Sequence, residues 1–276
     1  MIMTLEDHLG DILRKARLAG QVSVEAAATT AEISAKDYQC LEETGLGTTS
    51  LNLRPLAILL GLAPEKLQGI ADGWTPTVKT LEQWRELRMI TTAREGLAVH
   101  CYLIWDEVTR EAAIFDTGWE AAPIFQFVKE HDLEPKHLFL THSHEDHLFA
   151  MGALRMAWPK LRIHTNSRHA PPPNRNRPQD FVSLGSLRIS NREVSGHAED
   201  GVIYLVGNWP EDAPHVAIVG DTLFAGSMAT GFQSAQLLRE NIQRQILSLP
   251  PETLICPGSP LLSIRLAIFT VLPQIS

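Results

Sequence analysis

The densest set of residues that could do chemistry lies in the segment THSHEDH, residues 141–147, which holds His142, His144, Asp146 and His147. Imidazole and carboxylate groups are ligands that zinc, iron and manganese accept in proteins. His142 and His144 are two residues apart, so in an extended turn their side chains point to the same side. The segment therefore predicts a metal site, and a bound metal ion would activate water for hydrolysis.

The strands and helices around this segment must place it at the edge of a folded domain. An apolar run at 138–140 precedes it and predicts a buried strand, and the helical stretch LFAMGALRMAW follows it. Further runs with the composition of strands are ELRMITT, LAVHCYLIW, EAAIFDTG and HLFLTH, and they alternate with helical stretches at 121–131 and 233–247. Strands interleaved with helices predict an α/β layered domain.

The segment matches the pattern HxHxDH and resembles the signature of the metallo-β-lactamase superfamily, closest to its glyoxalase II-like branch of thioesterases. Three further segments are similar to that family in the same order, namely Asp116-Thr117-Gly118, Ser195-Gly196-His197 and Gly220-Asp221-Thr222-Leu223-Phe224. The resemblance covers about residues 80 to 276. It implies an αββα sandwich, in which two sheets face each other, helices lie outside, and the metals sit at one edge between the sheets.

The resemblance also implies a role for each ligand, and an aspartate at 116 that supports the metal loop. The first metal would be held by His142, His144 and His197. The second site would begin with Asp146 and His147, and Asp221 would bridge the two metals. The expected cofactor is zinc, as one or two ions, with iron or manganese as alternatives.

The sequence departs from the family at the end of the second site. The family places a histidine in PGHGP, whereas this chain has Pro257-Gly258-Ser259-Pro260. A serine hydroxyl is a poor zinc ligand, so we expect weak binding of a second ion, or a site for one ion alone. Asp146 would then be freer to act as a general base on the metal-bound water.

Other donors for the second site stay open at this stage. His164 and His169 flank a proline-rich loop at 171–177. Cys256 is close to Ser259, although a cysteine in an apolar run is more often a small buried hydrophobic residue. The arginines of the loop, at 175 and 177, could meet an anionic substrate or simply be solvated.

The first 72 residues have the pattern of five short helices. Ser23 and Ser34 are expected to cap the second and third helices, Gly45 to end the third, and Pro64 to open the fifth. We predict a helical domain at 1–72, a linker at 73–79, and the metal domain at 80–276. Leu13–Ala71 resembles a helix-turn-helix domain of the Cro and phage-repressor type, with Ala35–Thr44 as its recognition helix.

Charge argues against DNA as the partner of this helical block. Residues 1–76 hold six basic and ten acidic side chains, and the whole chain has a net charge of −8. Because neutralisation of phosphate supplies most non-specific affinity for DNA, an acidic block offers little of it. We expect docking or dimerisation instead, the latter giving a homodimer.

The cysteines, the apolar runs and the N-terminal segment predict where in the cell the protein is found. Three scattered cysteines do not form a disulfide framework, and no apolar run reaches the ~18 residues of a membrane helix. The N-terminus lacks the pattern of a signal peptide, so we expect a cytoplasmic protein without a membrane partner.

Together these features predict a metal-dependent hydrolase of a small-molecule thioester or ester-like acyl substrate. One alternative is a transcriptional regulator or ligand sensor whose metal domain has degenerated. Another is a one-metal iron enzyme that resembles the persulfide dioxygenases of the superfamily. A scaffold without activity is the third.

Overall fold

The computed structural model describes residues 8–46, 51–73, 83–224, 227–229, 231–258 and 269–270. The chain divides into two compact units. One contains residues 1–77 and 225–227, and the other contains residues 78–224 and 228–276. In the part of the chain that the structure describes, no helix has the length and apolar character needed to cross a membrane.

The described part of the first unit contains five helices, as the sequence predicts. They are α1 (Leu9–Ala19), α2 (Val24–Thr30), α3 (Ala35–Thr44), α4 (Leu53–Leu59) and α5 (Pro64–Ala71). The side chains of Ser23 and Ser34 accept hydrogen bonds from Ala26 N and Asp37 N, and so cap α2 and α3. Gly45 ends α3 with a φ of 70°, a conformation that glycine adopts without steric cost.

An apolar cluster formed by these helices holds the first unit together, and it includes Leu13, Tyr38 and Leu56. A buried ion pair lies beside it, in which Arg17 donates to both carboxylate oxygens of Glu42 at 2.6 and 2.8 Å. Most of the predicted linker at 73–79 lies outside the described residues.

The second unit is built on two sheets. The first has the order β1 to β5, with β1 (Leu87–Arg94), β2 (Leu97–Trp105), β3 (Glu111–Phe115), β4 (Glu134–Phe139) and β5 (Arg162–His164). The second has the order β13-β12-β9-β8-β7-β6. Its strands are β6 (Phe181–Leu184), β7 (Leu187–Glu193), β8 (Val202–Gly207), β9 (Val216–Gly220), β12 (Leu254–Pro257) and β13 (Phe269–Thr270), and the short β10 (Leu223–Phe224) and β11 (Ser227–Met228) precede β12.

Within the described residues, the second unit has four helices: α6 (Ala122–Glu130), α7 (Glu145–Leu148), α8 (Met151–Ala157) and α9 (Ala235–Asn241). The predicted helix at 233–247 is therefore shorter, and it continues as a π-helical turn at Ile242–Ile246. The proline-rich loop contains one 3-10 turn at Pro172–Asn174.

Packing of the second unit confirms the predicted sandwich. One apolar cluster lies between the two sheets and contains side chains of both, such as Tyr102, Phe115, Tyr204 and Ile218. Separate clusters cover the outer faces, one beneath α6 and α8 and one beneath α9. Inward and outward side chains alternate along each strand, so each sheet contributes to two cores.

One edge of the sandwich collects the ends of several strands. β3 and β4 run parallel, as do β9 and β12, while β2 and β8 are antiparallel to their neighbours and so begin where those strands end. Backbone hydrogen bonds link the two sheets at this edge, from Val202 N to Thr141 O at 2.9 Å and from His100 N to Gly258 O at 2.6 Å. The loops that carry the predicted ligands all leave from this edge.

Candidate metal centre

Three histidines converge at the edge between the sheets. His142 and His144 follow β4, and His197 lies in the loop between β7 and β8. The Nδ1 atom of His144 lies 3.0 Å from His142 Nε2 and 3.1 Å from His197 Nε2. Zinc–nitrogen bonds of about 2.0–2.1 Å in a tetrahedral site place ligand nitrogens about 3.3 Å apart, so the spacing fits one ion.

A second group of possible ligands adjoins the first and shares His142 with it. It contains His142, His147 and Asp221, whose ligand atoms lie within 4.8 Å of one another. The Nε2 atom of His147 lies 3.4 Å from Asp221 Oδ1. This nitrogen is buried and makes no hydrogen bond of ordinary geometry among the described residues, as expected of an atom that binds a metal.

Asp116, at the end of β3, positions both the metal loop and His147. Its Oδ1 accepts a hydrogen bond from Thr141 N at 2.8 Å, and its Oδ2 accepts one from Thr141 Oγ1 at 2.7 Å. The same Oδ2 lies 2.8 Å from His147 Nδ1. A carboxylate on one ring nitrogen fixes the orientation of the imidazole and leaves the other nitrogen directed at the metal position.

Gly220 allows the second sheet to approach this arrangement. Its φ is 52°, and a Cβ atom placed on it would lie 2.4 Å from Thr141 Oγ1. Both the backbone conformation and the close approach therefore require glycine immediately before Asp221. The sequence Gly220-Asp221 thus joins a permissive backbone residue to a candidate ligand.

The electrostatics of the centre favour a bound cation. Burial opposes protonation of His147, yet the carboxylates of Asp116 and Asp221 raise its pKa well above the ordinary value. Burial raises the pKa of Asp221, but the adjacent imidazoles outweigh it and hold that pKa well below its usual range. Burial is the first cause that lowers the pKa of His142 and of His144, so these two rings are neutral and can bind a metal.

Space for a small ligand exists beside these atoms. A cavity of about 10 Å³ is lined by residues that include His142, His197 and Asp221. This is the volume that one water molecule or one ion requires. The donor set, the spacing and the cavity together fit a metal ion of the zinc type.

The other predicted donors do not belong to either of the two groups. Asp146 Oδ2 is 3.8 Å from His147 Nε2, and the side chain is 26% exposed. His164 lies in β5 with its Nε2 atom 2.9 Å from His137 Nδ1, and His169 is exposed. Cys256 is fully buried in the core between the sheets, and burial raises the pKa of its thiol. Ser259 lies outside the described residues.

The arginine at 175 in the proline-rich loop is committed to its own loop. Its guanidinium donates at 2.7 Å to Ala170 O and at 2.7 Å to Arg168 O. It therefore holds the loop in shape rather than offering its charge to a substrate.

Two residues near the centre were not selected from the sequence. Phe232 is 72% exposed, and its ring centroid lies 5.4 Å from that of His197 and 6.0 Å from that of His144. His100 is 3% exposed in β2, and burial lowers its pKa to about 4. The sequence does mark His100, because it is a histidine inside the otherwise apolar run LAVHCYLIW.

Comparisons with known proteins agree with this fold. The model of the metallo-beta-lactamase superfamily matches residues 94–213. A hydroxyacylglutathione hydrolase of Edwardsiella ictaluri is 29% identical over 154 residues, which are 53% of this chain and 56% of that protein. The chain therefore spans little more than half the length of that relative.

Two further similarities cover more of the other protein. The probable polyketide biosynthesis zinc-dependent hydrolase PksB of Bacillus subtilis is 27% identical over 61% of this chain and 76% of its own. The crystal structure of ETHE1 from Myxococcus xanthus is similar with a TM-score of 0.57 and 30% identity, over 67% of this chain and 80% of that one.

Proposed function

Because the chain belongs to the metallo-beta-lactamase superfamily, we propose that it is a metal-dependent hydrolase of a thioester or another ester-like acyl compound. The observation that supports the proposal is the convergence of two groups of ligand atoms that share His142 at one sheet edge. Two relatives carry names that agree with it, since both are hydrolases and one is called zinc-dependent.

In this proposal the ligands of the first ion are His142, His144 and His197. The site of a second ion would be formed by Asp221 and His147. A metal held by these residues would supply a water molecule with a pKa lowered to about 7 and would polarise the scissile carbonyl. The metal is expected to be zinc, as one or two ions, because the nitrogen donors outnumber the carboxylates.

We assign the proton transfer to Asp146. Its side chain is partly exposed and 3.8 Å from His147 Nε2, so it lies at the centre but outside both ligand groups. A carboxylate in this place can take the proton of the attacking water and return it to the leaving group. Asp116 contributes by orientation, since it fixes His147 through the 2.8 Å contact.

The mouth of the centre suits an apolar acyl group. Phe232 presents an exposed aromatic ring beside the imidazoles of His144 and His197. The guanidinium of Arg175 in the nearby loop is held by two backbone carbonyls, so this arginine does not offer its charge to a glutathione carboxylate. We therefore propose a substrate that is recognised through its acyl part.

The test uses the zinc-loaded full chain and a panel of acyl thioesters, aryl esters and lactones. We expect hydrolysis that a chelator abolishes and zinc restores. Because a metal supplies several kcal/mol of transition-state stabilisation, His142→Ala is expected to lower kcat/KM roughly 10³-fold or more. The matched control is His169→Ala, which removes an exposed histidine outside both groups. Metal binding without hydrolysis of any compound in the panel would contradict the proposal.

A second candidate is an iron enzyme of the persulfide dioxygenase type. The group His142, His144 and His197 is complete enough to hold one ion without the second group, and this observation favours it. Elemental analysis of protein purified without added metal separates the two candidates. Zinc supports the hydrolase, whereas iron with oxygen consumption in the presence of a persulfide supports the alternative.

For the first unit we propose a docking or dimerisation role. In this proposal its resemblance to a helix-turn-helix domain lies in the pattern of its helices and not in binding of DNA. Arg17 and Arg54 are engaged by Glu42 and Glu65, so two of its six basic side chains are neutralised. Exposed apolar side chains, among them Ile58 at 66%, offer a surface for a protein partner. Light scattering should show a dimer that Ile58→Glu weakens, and salt-sensitive DNA binding would contradict the role.

A further inference from the structure

His100 lies in the first half of β2. β2 is antiparallel to β3, so its first residues lie at the edge where β3 ends and the candidate ligands gather. His100 N donates a 2.6 Å hydrogen bond to Gly258 O, at the end of β12 in the other sheet. The backbone of His100 therefore lies directly beside Gly258.

Gly258 in turn lies against the second ligand group. A Cβ atom placed on it would be 2.7 Å from His147 Cε1 and 2.8 Å from Asp221 Oδ1. One hydrogen bond therefore connects His100 to a residue in contact with both ligands. The register of β2 places His100 on the same face as Tyr102, which packs between the sheets and donates to Pro257 O at 2.6 Å.

The ring of His100 is held in the manner of a metal ligand. Its Nδ1 atom lies 2.8 Å from Oγ1 of Thr91, its cross-strand partner in β1. Its Nε2 atom is buried and has no hydrogen-bond partner among the described residues. An orphaned buried nitrogen costs free energy, about 1–3 kcal/mol, that a purely structural histidine would avoid. Metal-binding histidines typically bond one ring nitrogen to such a partner and leave the other for the ion.

The second group needs an additional donor. His142 belongs to both groups, so when it serves the first ion the second group retains His147 and Asp221, with Asp146 Oδ2 3.8 Å from His147 Nε2 beside them. Zinc sites commonly have four ligands. At position 259, where the resemblance leads us to expect a histidine, the sequence has a serine.

We propose that Nε2 of His100 is a ligand of a second metal ion and replaces the histidine that is absent at position 259. The proposal rests on the metal centre of the proposed function and deepens it. His100 lies outside the groups whose ligand atoms fall within 4.8 Å of one another, so binding must bring its ring and the second group closer together. Thr91 acts as a positioning residue that keeps the ring turned toward the centre.

The experiment counts ions in the full chain. Metal is removed with a chelator, and Zn²⁺ is titrated back by calorimetry, with elemental analysis of the saturated protein and Co²⁺ absorption as a second readout. We expect two ions in the wild type. His100→Gln should keep the first ion with unchanged affinity and weaken the second at least a hundredfold. Thr91→Val should weaken the second roughly 10- to 100-fold, because it frees the ring.

The matched control is His137→Gln, which removes another buried histidine outside both groups and should leave both ions in place. Circular dichroism checks that each variant folds. If His100→Gln does not fold, the affinity of Thr91→Val for the second ion tests the proposal instead. The proposal is overturned if the wild type saturates at one ion, or if the second ion binds equally well without His100. Neither readout needs turnover, so failure of the proposed hydrolysis would be seen separately.

Discussion

Asp116 Oδ2 and His147 Nδ1 lie 2.8 Å apart, and both side chains are almost fully buried. The same carboxylate holds Thr141 through two hydrogen bonds, so one residue at the end of β3 fixes both the metal loop and a ligand. This relationship ties the orientation of His147 to the position of the metal loop, and it leads to the first prediction.

Asp116→Asn should weaken zinc binding roughly 10- to 100-fold, because the amide orients His147 less firmly. It should also lower the free energy of unfolding by about 1.5–3 kcal/mol, the range for a hydrogen bond to a charged group. Calorimetric titration and urea denaturation measure the two effects. The control is Asp106→Asn, since Asp106 accepts comparable hydrogen bonds from Thr109 and Ser186 away from the centre. An equal loss of zinc affinity in both variants would refute the positioning role.

Asp146→Asn separates the two roles that the sequence allows for this residue. If Asp146 is the general base, kcat should fall roughly 10²- to 10⁴-fold while metal content stays constant. Kinetics of the zinc-loaded protein, with elemental analysis of the same sample, gives both numbers. Its neighbour in α7 provides the control, because Glu145→Gln should leave both unchanged. A loss of bound metal in Asp146→Asn would instead make Asp146 a ligand.

Phe232→Ala should raise KM for acyl substrates with large apolar groups and leave kcat nearly unchanged. Burying such a group against an aromatic ring contributes about 1.5–3 kcal/mol, so the increase should be roughly 10- to 100-fold. Steady-state kinetics with acyl chains of increasing length measures it. Phe181→Ala is the control, since Phe181 is also exposed but lies in β6, where Arg188 covers its ring. A KM independent of acyl length in the wild type would contradict this prediction.

Acid should destabilise the fold through the pair His137 and His164. Burial and then the charge of Arg162 lower the pKa of His137 to about 4, and burial with the neighbouring ring lowers that of His164 to about 4. Unfolded histidines bind protons near pH 6.5, so between about 4 and 6.5 the unfolded chain binds more protons. The stabilisation is present above pH ~6.5 and is lost as the pH falls, at up to ~1.4 kcal/mol per pH unit for each histidine.

Urea denaturation of chelator-treated protein across this pH range tests the pair. His137→Gln should reduce the slope of the free energy of unfolding against pH by up to ~1.4 kcal/mol per pH unit. His169→Gln, which changes an exposed histidine, should leave the slope as it is. Equal slopes in the wild type and His137→Gln would show that His137 is protonated as readily in the fold as outside it.

The ion pair of Arg17 and Glu42 should stabilise the fold of the first unit. Glu42 is 5% exposed, so Glu42→Gln leaves a buried guanidinium without its counter-charge, at a cost of about 3–5 kcal/mol. Glu65→Gln breaks an exposed pair with Arg54 and should cost less than about 1 kcal/mol. Calorimetric melting of the full chain compares the two variants. Similar melting profiles would mean that solvent screens the first pair as well as the second.

Much of the second unit could be predicted because its central strands are short continuous apolar runs and its ligands follow strand ends. Caps at Ser23 and Ser34 were equally local, since each needs only the residues of one helical turn. The order of the segments around His142, His197 and Asp221 pointed to one edge through the family resemblance. The distances of 3.0 to 3.4 Å between ligand atoms of the centre are visible only in the folded structure.

What the sequence did not reveal depends on contacts between distant segments. His100 and Gly258 are joined by a hydrogen bond across the two sheets, and no periodicity within β2 indicates which strand of the other sheet lies opposite. The position of Phe232 depends on where the chain passes before α9. The π-helical turn at Ile242–Ile246 likewise arises from packing, because Ile242 and Ile246 are both buried in the outer cluster.

Gly220 has a consequence for mutational tolerance. A side chain at this position would strike Thr141, the residue through which Asp116 holds the metal loop. A library that randomised position 220 and selected for the intact sandwich should therefore return glycine almost alone, although the residue has no functional group. The chemistry of the edge thus depends on a position whose contribution is to occupy no space.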